Sequence, residues 1–402
     1  MIPFKSWLPL LILILVMGIL LRMPWLVVFS FSVLILFTIA QYWNRHALDN
    51  VSYERYFRYT RGFTGEPLEF SLSVENKKWL PINWLKTEDR WPYAVGPKDK
   101  KELVSTHLPA AGNLVNLYSL RWRQKTRRQF PMVFQKRGMY ELGPLTMESG
   151  DPFGLFRTTR EEERSQYITV FPELIPLDFM AATTEDPFGE RKAIRRVFED
   201  PIQPMGVREY MPEDEFRRIH WPATAKTGEL QVKVLPPISS KVLMVCMNAS
   251  TTSQPWLGTL PNTFEQLIKI TASIAYQGVE NGYQVGLISN GSVAHSDHPF
   301  RLLPGRTPQH LASLLGTLAA STDYVTAPFE LYLMQSMGKI PIGSALIIIS
   351  ACTTESMIDS IVRLRKYRPH ITLVALDETA PVEIPGVKLV HLPFSEPANE
   401  RG

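Results

Sequence analysis

The first forty-five residues constrain this chain most, because they hold two apolar stretches separated by a short break. The stretches are Trp7 to Leu21 and Trp25 to Ala40, with Arg22-Met23-Pro24 between them. A helix needs roughly 20 apolar residues to cross a bilayer, with about 17 as the lower limit. The second stretch meets this length, and the first meets it when Ser6 and Met23 are counted. The sequence therefore predicts a two-helix transmembrane hairpin over residues 1–45.

Residues around the two stretches indicate their orientation. Interfacial aromatic residues are expected at Trp7, Trp25, Tyr42 and Trp43. The basic residues are Lys5 before the hairpin, Arg22 in its turn, and Arg45, Arg55, Arg58 and Arg61 after it. Both ends are therefore expected in the cytoplasm, although Arg22 reduces the contrast. The alternative for the first stretch is a signal peptide, which the lack of a small-residue cleavage site disfavours.

Composition places the rest of the chain among ordinary globular proteins. The 402 residues suffice for two soluble domains, with 45% hydrophobic and 20% charged residues. A net charge of +4 gives no reason to expect nucleic acid as a partner. Cys246 and Cys352 each lie in an apolar run, which indicates buried thiols in a reducing compartment.

Residues 46–175 have the pattern of a small antiparallel β-sandwich. Leu68 to Val74 alternates apolar and polar residues, as a half-buried strand does. Further strands are predicted at 114–122, 129–134 and 167–171, and glycine and proline residues separate them. No long helical pattern interrupts this region.

One predicted strand of this domain carries alternating basic residues. Arg121, Arg123, Lys125 and Arg127 would share one face of that strand. They are either a basic stripe for anionic lipid headgroups or an acidic partner, or the solvated face of an edge strand protected by charge. The sequence favours the edge strand.

A linker over residues 176–238 leads to a different pattern over residues 239–402. Strands are predicted at 242–247, 285–288, 345–350 and 371–376. Asn262 and Glu265 have capping-box spacing for a helix through Glu280, and Thr307-Pro308 should begin another. A further helix is expected over 355–367. This alternation predicts an open, doubly wound, largely parallel α/β sheet.

The linker contains an unusual run from Gly206 to Lys226. It resembles the signature of the DUF58 family, as do Arg137-Gly138, Leu142-Gly143-Pro144 and the run Asp151 to Phe156. The signature residues are Gly206, Arg208, Tyr210, Pro212, Asp214, Arg217, His220, Trp221, Ala225 and Lys226. Glu213 stands where the family usually has glycine, and Pro222 where it commonly has a basic residue, so the turn at 213 is expected to differ.

The resemblance implies an architecture and a partner. It implies two membrane helices, a β domain, the signature and an α/β domain similar to a von Willebrand factor A domain, in a bacterial inner-membrane protein with its soluble domains in the cytoplasm. It also implies a MoxR-type AAA+ ATPase as partner. Contacts with the lipid bilayer and with other membrane proteins are further expectations.

The signature mixes opposite charges around Tyr210 and Trp221. This mixture favours a hydrogen-bond and ion-pair network that docks the linker on the α/β domain. The alternative is a hydrolase centred on His220 as acid or base and Asp214 as its orienting carboxylate. No Gly-x-Ser-x-Gly nucleophile motif accompanies them, so structure is favoured over catalysis.

The first strand of the α/β domain ends where related domains bind Mg²⁺ through Asp-x-Ser-x-Ser. Here the corresponding residues are Asn248, Ser250 and Thr252, so the carboxylate is missing. Ile349-Ser350-Ala351 lacks a second carboxylate at a later strand. We therefore expect a weak or empty degenerate metal site and no cofactor.

Two other site types have less support in the sequence. His295-Ser296-Asp297-His298 is more typical of an exposed turn than of a transition-metal site. The chain has no Walker A or dinucleotide fingerprint.

These observations together predict a membrane-anchored, non-enzymatic scaffold or adaptor. The alternatives are a structural envelope protein that binds lipid or another membrane protein, and the hydrolase.

Overall fold

The structure is a computed structural model that divides into two compact units, Met1–Glu173 and Leu174–Gly402. It describes residues 4–177, 206–211, 216, 219–234, 242–253, 258–294, 296–341, 343–368, 370–377, 380–381 and 383–392. Each unit is described by itself.

Two helices open the first unit: α1 (Phe4–Leu20) and α2 (Pro24–Arg45). Arg22 has a φ of 53° in the turn, and Pro24 is the first residue of α2. The helices pack so closely that a Cβ atom on Gly18 would lie 2.8 Å from Cδ2 of Leu26. Among the described residues, only α2 is long and apolar enough to cross a membrane, while Pro9–Leu20 is a shorter apolar helix. One apolar helix of the described residues therefore has the length of a span, and the two-helix transmembrane hairpin stays a prediction.

Eleven strands follow in this unit and form three sheets. The strands are β1 (Val51–Phe57), β2 (Arg61–Phe63), β3 (Pro67–Asn76), β4 (Ile82–Pro92), β5 (Leu103–Ser105), β6 (Ala111–Leu120), β7 (Lys125–Val133), β8 (Gly138–Leu142), β9 (Leu145–Gly150), β10 (Arg157–Glu162) and β11 (Gln166–Phe171). The sheet orders are β1-β3-β7, β10-β9-β4-β6-β5 and β2-β11-β8. All pairs are antiparallel except β2 with β11.

The core of this unit lies between its sheets. Phe70 on β3 stacks near Trp91 on β4, with ring centroids 4.4 Å apart, and both side chains are fully buried. Leu72, Leu85 and Met132 join the same cluster. Burying such a side chain contributes about 1.5–3 kcal/mol relative to leaving it exposed, so the apolar faces of the sheets pack against one another.

The predicted basic stripe is wrong in its geometry. Only Lys125 and Arg127 lie in β7, whereas Arg121 and Arg123 lie in the preceding turn, where Arg123 has a φ of 50°. Nε of Arg127 donates to Oγ of Ser71 at 2.8 Å, so its guanidinium is engaged within the sheet. Strand β7 is at the edge of its sheet, as the favoured alternative expects.

The first described strands of the second unit form a small pair, and the α/β region follows them. The strands are β12 (Gly206–Glu209), β13 (Gln231–Val234), β14 (Val242–Met247), β15 (Gln284–Ser289), β16 (Gly291–Val293), β17 (Phe300–Gly305), β18 (Ser321–Val325), β19 (Ala345–Ser350), β20 (Ile371–Ala375) and β21 (Lys388–His391). The helices are α3 (Trp221–Thr227), α4 (Pro261–Glu280), α5 (Pro308–Ala320), α6 (Phe329–Ser336) and α7 (Glu355–Arg365).

The main sheet is the expected open, largely parallel one. Its order is β17-β15-β14-β19-β20-β21, and only β17 pairs antiparallel. Strands β14 and β19 are completely buried, which explains their unbroken apolar sequences.

The two expected helix starts have different outcomes. Oγ1 of Thr307 accepts a hydrogen bond from the amide of His310 at 3.1 Å, which confirms the cap of α5. The capping box at Asn262 is wrong, because α4 begins at Pro261 and Leu260 is its N-cap residue without a side-chain hydrogen bond. Proline is favoured at the first helical position because its φ is already helical, so α4 begins at Pro261 and Asn262 lies inside the helix.

Candidate functional site

The candidate site lies where the carboxyl ends of the parallel strands meet. From β14 the chain continues toward β15 on one side, whereas β19 on its other side leads to β20. The loops after β14 and β19 therefore diverge and leave a crevice between them, which is where open α/β sheets usually bind ligands.

This crevice is a cavity of about 560 Å³. Its described lining comes from four segments: 248–253, 258–259, 323–330 and 352–357. Hydroxyl groups are its commonest polar feature, and Phe329 and Met357 form an apolar floor with less than a tenth of each side chain exposed. Tyr324 stands at the rim and is 60% exposed.

Hydrogen bonds engage the side-chain amide of Asn248 and link the ends of β14 and β19. Its Nδ2 donates to Oγ of Ser350 at 3.0 Å, and its Oδ1 accepts from the amide of Ser250 at 3.1 Å. Oγ1 of Thr252 donates to the carbonyl oxygen of Gly258 at 2.9 Å. Because a tight Mg²⁺ site needs oxygen ligands that are free and preferably charged, this set does not fit the ion. No group of three His, Cys, Asp or Glu side chains with metal-site geometry occurs in the described ranges.

Sequence reasoning did not identify Asn290, which completes this edge. It follows β15 directly, and its Oδ1 accepts from the amide of Ala249 at 2.8 Å. Its Nδ2 donates to the carbonyl oxygen of Ala327 at 3.0 Å and approaches Oγ of Ser250 at 3.4 Å. The sequence did contain a signal for Asn290, because it directly follows a strand. Polar residues that follow neighbouring parallel strands meet at the same edge of the sheet.

Two carboxylates give the cavity its charge. Glu330 and Asp323 line it, and its described lining contains no Lys, Arg or His. Oγ of Ser356 donates to Oε1 of Glu330 at 3.2 Å, which orients that carboxylate. Neither residue was identified from the sequence, because no motif marks them and they lie 75 and 82 residues beyond Asn248.

Cys352 lines the same cavity with a thiol that stays protonated. Burial, followed by the nearby carboxylate of Asp377, raises the pKa of the Cys352 thiol. Asp377 also accepts hydrogen bonds from the amide and hydroxyl of Thr353 at 3.0 and 2.8 Å. A thiol is nucleophilic only as thiolate, so Cys352 is not activated for catalysis.

The signature segment folds around the β12–β13 pair. The amide of Tyr210 donates to the carbonyl oxygen of Leu230 at 2.9 Å, and Ile219 pairs with Val232. Nη1 of Arg208 donates to the carbonyl oxygen of Glu209. Gly206 begins β12, and Ala225 and Lys226 lie in α3. Pro212, Asp214 and Arg217 lie outside the described residues, as do Glu213 and His295.

His220 acts as the N-cap of α3. Its Nδ1 accepts from the amide of Ala223 at 3.0 Å, and its own amide donates to the carbonyl oxygen of Gln231 at 2.7 Å. Because Nδ1 accepts a hydrogen bond, the neutral ring carries its proton on Nε2. Trp221, the next residue, is 66% exposed. The described geometry thus gives His220 a structural role.

Two solved structures are similar to part of this chain, at low overlap. One is the CARDB domain of the PF1109 protein from Pyrococcus furiosus, at 11% identity and a TM-score of 0.19 over 30% of this chain and 91% of that one. Another is Spo0M, the sporulation control protein from Bacillus subtilis, at 13% identity and a TM-score of 0.19 over 30% and 49%. These values support no functional argument.

Sequence comparison is more informative. The chain is 22% identical over 300 residues to the uncharacterized protein YeaD of Bacillus subtilis (strain 168), covering 74% of this chain and 70% of that protein. Residues 206–400 match the family described as "Protein of unknown function DUF58". The C-terminal part of the chain is therefore similar to the DUF58 family, as its signature predicts.

Proposed function

We propose that this protein is a membrane-anchored, non-enzymatic adaptor whose α/β unit binds a partner protein at the carboxyl edge of its sheet. The observation that carries the proposal is the cavity between the loops after β14 and β19, which contains two carboxylates and no basic side chain among its described lining. Open α/β sheets bind their ligands at this position.

The chemistry of the cavity fits a basic side chain of the partner. Glu330 offers a charged acceptor, hydroxyl groups surround it, and Phe329 and Met357 provide apolar contact for an aliphatic stem. Lysine and arginine combine such a stem with a cationic end. Exposed Tyr324 at the rim is the type of residue that interface hot spots favour.

Three features support an adaptor over an enzyme. Cys352 keeps its proton, the Nδ1 atom of His220 caps a helix, and the side chain of Asn248 joins two strands. The resemblance to DUF58 proteins implies that the partner is a MoxR-type AAA+ ATPase. In our proposal α2 anchors the protein in the bacterial inner membrane and the soluble parts face the cytoplasm.

The test is crosslinking of the full chain in native membranes, with and without ATP, followed by purification and mass spectrometry. We expect an AAA+ ATPase to be enriched in an ATP-dependent way. Tyr324→Ala and Glu330→Gln should each reduce its recovery about tenfold, the loss typical of a hot-spot residue. Tyr367→Ala is the matched control, since Tyr367 is 80% exposed and precedes β20 at the opposite edge of the sheet.

Recovery of no ATPase from wild-type membranes would contradict the ATPase partner. Equal losses for Tyr324→Ala and Tyr367→Ala would contradict the proposed binding edge. Recovery of phospholipid or an envelope protein alone would favour the structural envelope protein instead.

A further inference from the structure

The segment that follows α2 is held between two basic side chains of the β unit. Nζ of Lys78 donates to the carbonyl oxygens of His46, at 2.7 Å, and of Ala47 and Asp49. On the other side, Nη1 and Nη2 of Arg160 donate to the carbonyl oxygens of Leu48 and Val51 at 2.8 and 2.9 Å. Residues 46–51 therefore join α2 to the β unit without a flexible linker.

Two turns of the β unit lie at this junction. Val51 begins β1 and pairs with Asn76, the last residue of β3, so the turn after Asn76 projects beyond the start of β1. The amide of Arg123 donates to the carbonyl oxygen of Lys78 at 3.1 Å, which attaches the turn before β7 to the same place. We call this surface the juxtamembrane face: Lys77, Lys78, Trp79, Arg121, Trp122 and Arg123.

The juxtamembrane face combines exposed tryptophans with basic side chains. Trp79 and Trp122 are 67% and 59% exposed, an unusual state for the largest apolar side chain. The guanidinium of Arg123 lies 4.4 Å from the ring centroid of Trp79. Tryptophan prefers the headgroup level of a bilayer, and basic residues beside a span attract anionic headgroups.

Basic residues outnumber acidic ones around the junction. The basic residues are Arg45, Lys77, Lys78, Arg121, Arg123, Lys125 and Arg160; the acidic ones are Asp49, Glu54, Glu75 and Glu162. The carboxylates of Asp49 and Glu75 lie near His46 and Lys125, at 2.7 and 4.0 Å. The net charge at the end of α2 is therefore positive and complements an anionic surface.

A second element of the β unit lies beside the helix itself. The loop 151–156 contacts α2 through Phe156, whose ring centroid is 6.1 Å from that of Phe37. Phe37 precedes Arg45 by eight residues, or about 12 Å along the helix. The 22 residues of α2 extend about 33 Å, only slightly more than a hydrocarbon core of ~30 Å. Phe37 lies inside the apolar stretch from Trp25 to Ala40, so a loop that touches Phe37 lies at the level of the predicted span.

This loop is rigid and has an apolar tip. The fully buried carboxylate of Asp151 accepts hydrogen bonds from the amides of Phe153 at 2.8 Å, Leu155 at 3.3 Å and Phe156 at 2.5 Å. Phe153 is 55% exposed at the tip. A loop that contacts an apolar helix through Phe156 and exposes Phe153 at its tip suits insertion into lipid.

We propose that the juxtamembrane face binds an anionic phospholipid surface, with Trp79 and Trp122 at the headgroup level and Phe153 inserted beside α2. The occupant is the membrane that α2 spans, so this inference rests on the membrane anchoring in the proposed function. It does not depend on the partner of the α/β unit.

The experiment uses the full chain in nanodiscs, with single cysteines labelled by an environment-sensitive fluorophore. The background is Cys352→Ser, because Cys246 is fully buried and does not react. Labels are placed at Phe31, Trp122, Phe153 and Tyr59. Phe31 reports the span, and Tyr59 is an exposed control eight residues beyond the start of β1. Nitroxide lipids and aqueous acrylamide are the two quenchers.

We expect nitroxide lipids to quench labels at positions 31, 122 and 153, but not at 59. In phosphatidylcholine discs containing phosphatidylglycerol, Arg121→Glu with Arg123→Glu should raise acrylamide quenching at position 122 severalfold. The matched pair Arg58→Glu with Arg61→Glu, which is equally exposed but remote from the junction, should leave it unchanged.

The outcomes separate the two proposals. Quenching by lipid at position 31 without quenching at 122 and 153 would overturn the lipid contact while leaving the anchor intact. No quenching at 31 would overturn the anchor itself. Shielding at 122 that is equal in neutral and anionic discs would overturn the requirement for anionic lipid. If the charge-reversal variants misfold, the four labels in the protein without those substitutions still show whether the juxtamembrane face contacts lipid.

Discussion

A buried ion pair shows how single residues organise the β unit. Nε and Nη2 of Arg55 donate to the two carboxylate oxygens of Asp89 at 2.8 and 2.6 Å, and the hydroxyl of Tyr53 donates to the same carboxylate at 2.9 Å. Asp89 is fully buried, and 5% of the Arg55 side chain is exposed. Burial and the Asp89 charge raise the pKa of Tyr53, so its hydroxyl remains a donor over the physiological range.

Removing one partner of this pair should cost more than replacing both. Asp89→Ala leaves a buried guanidinium without its carboxylate, so we expect a loss of about 3–5 kcal/mol in the free energy of unfolding. Arg55→Met combined with Asp89→Leu should lose less, because no charge remains buried. Urea unfolding in detergent, followed by tryptophan fluorescence, measures both. A double variant less stable than Asp89→Ala would contradict this account.

At the scale of elements, the sequence predicts strands and helices better than it predicts their ends. Strand β19 has the predicted bounds, because an unbroken apolar run in an α/β pattern has few alternatives. The error at Asn262 arose because Pro261 takes the first helical position, which places Asn262 inside the helix and not at its N-cap. The error at Arg121 and Arg123 arose because alternation also occurs in a turn, where the positive φ of Arg123 has no signal in the sequence.

The candidate site was predictable only in part, for a physical reason. Asn248, Ser250 and Thr252 follow one strand and were identified together. Their partners Ser350 and Asn290 come from other strands, so the hydrogen bonds that join them depend on strand order. That order is a property of the folded sheet, since the same strands could be arranged differently.

The loop 151–156 gives a prediction at this scale. Asp151→Ala removes the acceptor of three amides, so hydrogen exchange at residues 153–156 should accelerate about ten- to a hundredfold, as expected when a charge-assisted hydrogen bond is lost. Mass spectrometry of exchange in nanodiscs measures this change. Glu161→Ala on β10 is the control and should leave the loop unchanged. Unchanged exchange in Asp151→Ala would show that lipid or packing alone holds the loop.

At the scale of the whole molecule, our proposal uses charge to predict which side of the membrane the soluble units occupy. The basic residues cluster at the carboxyl end of α2, and such clusters remain in the cytoplasm. The turn at Met23 should therefore face the opposite side. This orientation would place the α/β unit where ATP is available to a partner.

Thiol labelling in intact cells tests this orientation. In the Cys352→Ser background, a membrane-impermeant reagent should label Met23→Cys before permeabilisation and Tyr367→Cys only afterwards. Both positions are exposed, at 40% and 80%, so accessibility within the protein is not limiting. Labelling of Tyr367→Cys in intact cells would reverse the proposed topology.

The contacts of Lys78 and Arg160 with the backbone after α2 also have a mechanical consequence. A helix held at its end by hydrogen bonds to successive carbonyl oxygens cannot swivel freely against the unit that holds it. A torque or tension on the β unit is therefore transmitted directly to α2. If α2 is the membrane anchor that we propose, the junction is therefore a stiff coupling, through which a force on the β unit tilts the helix.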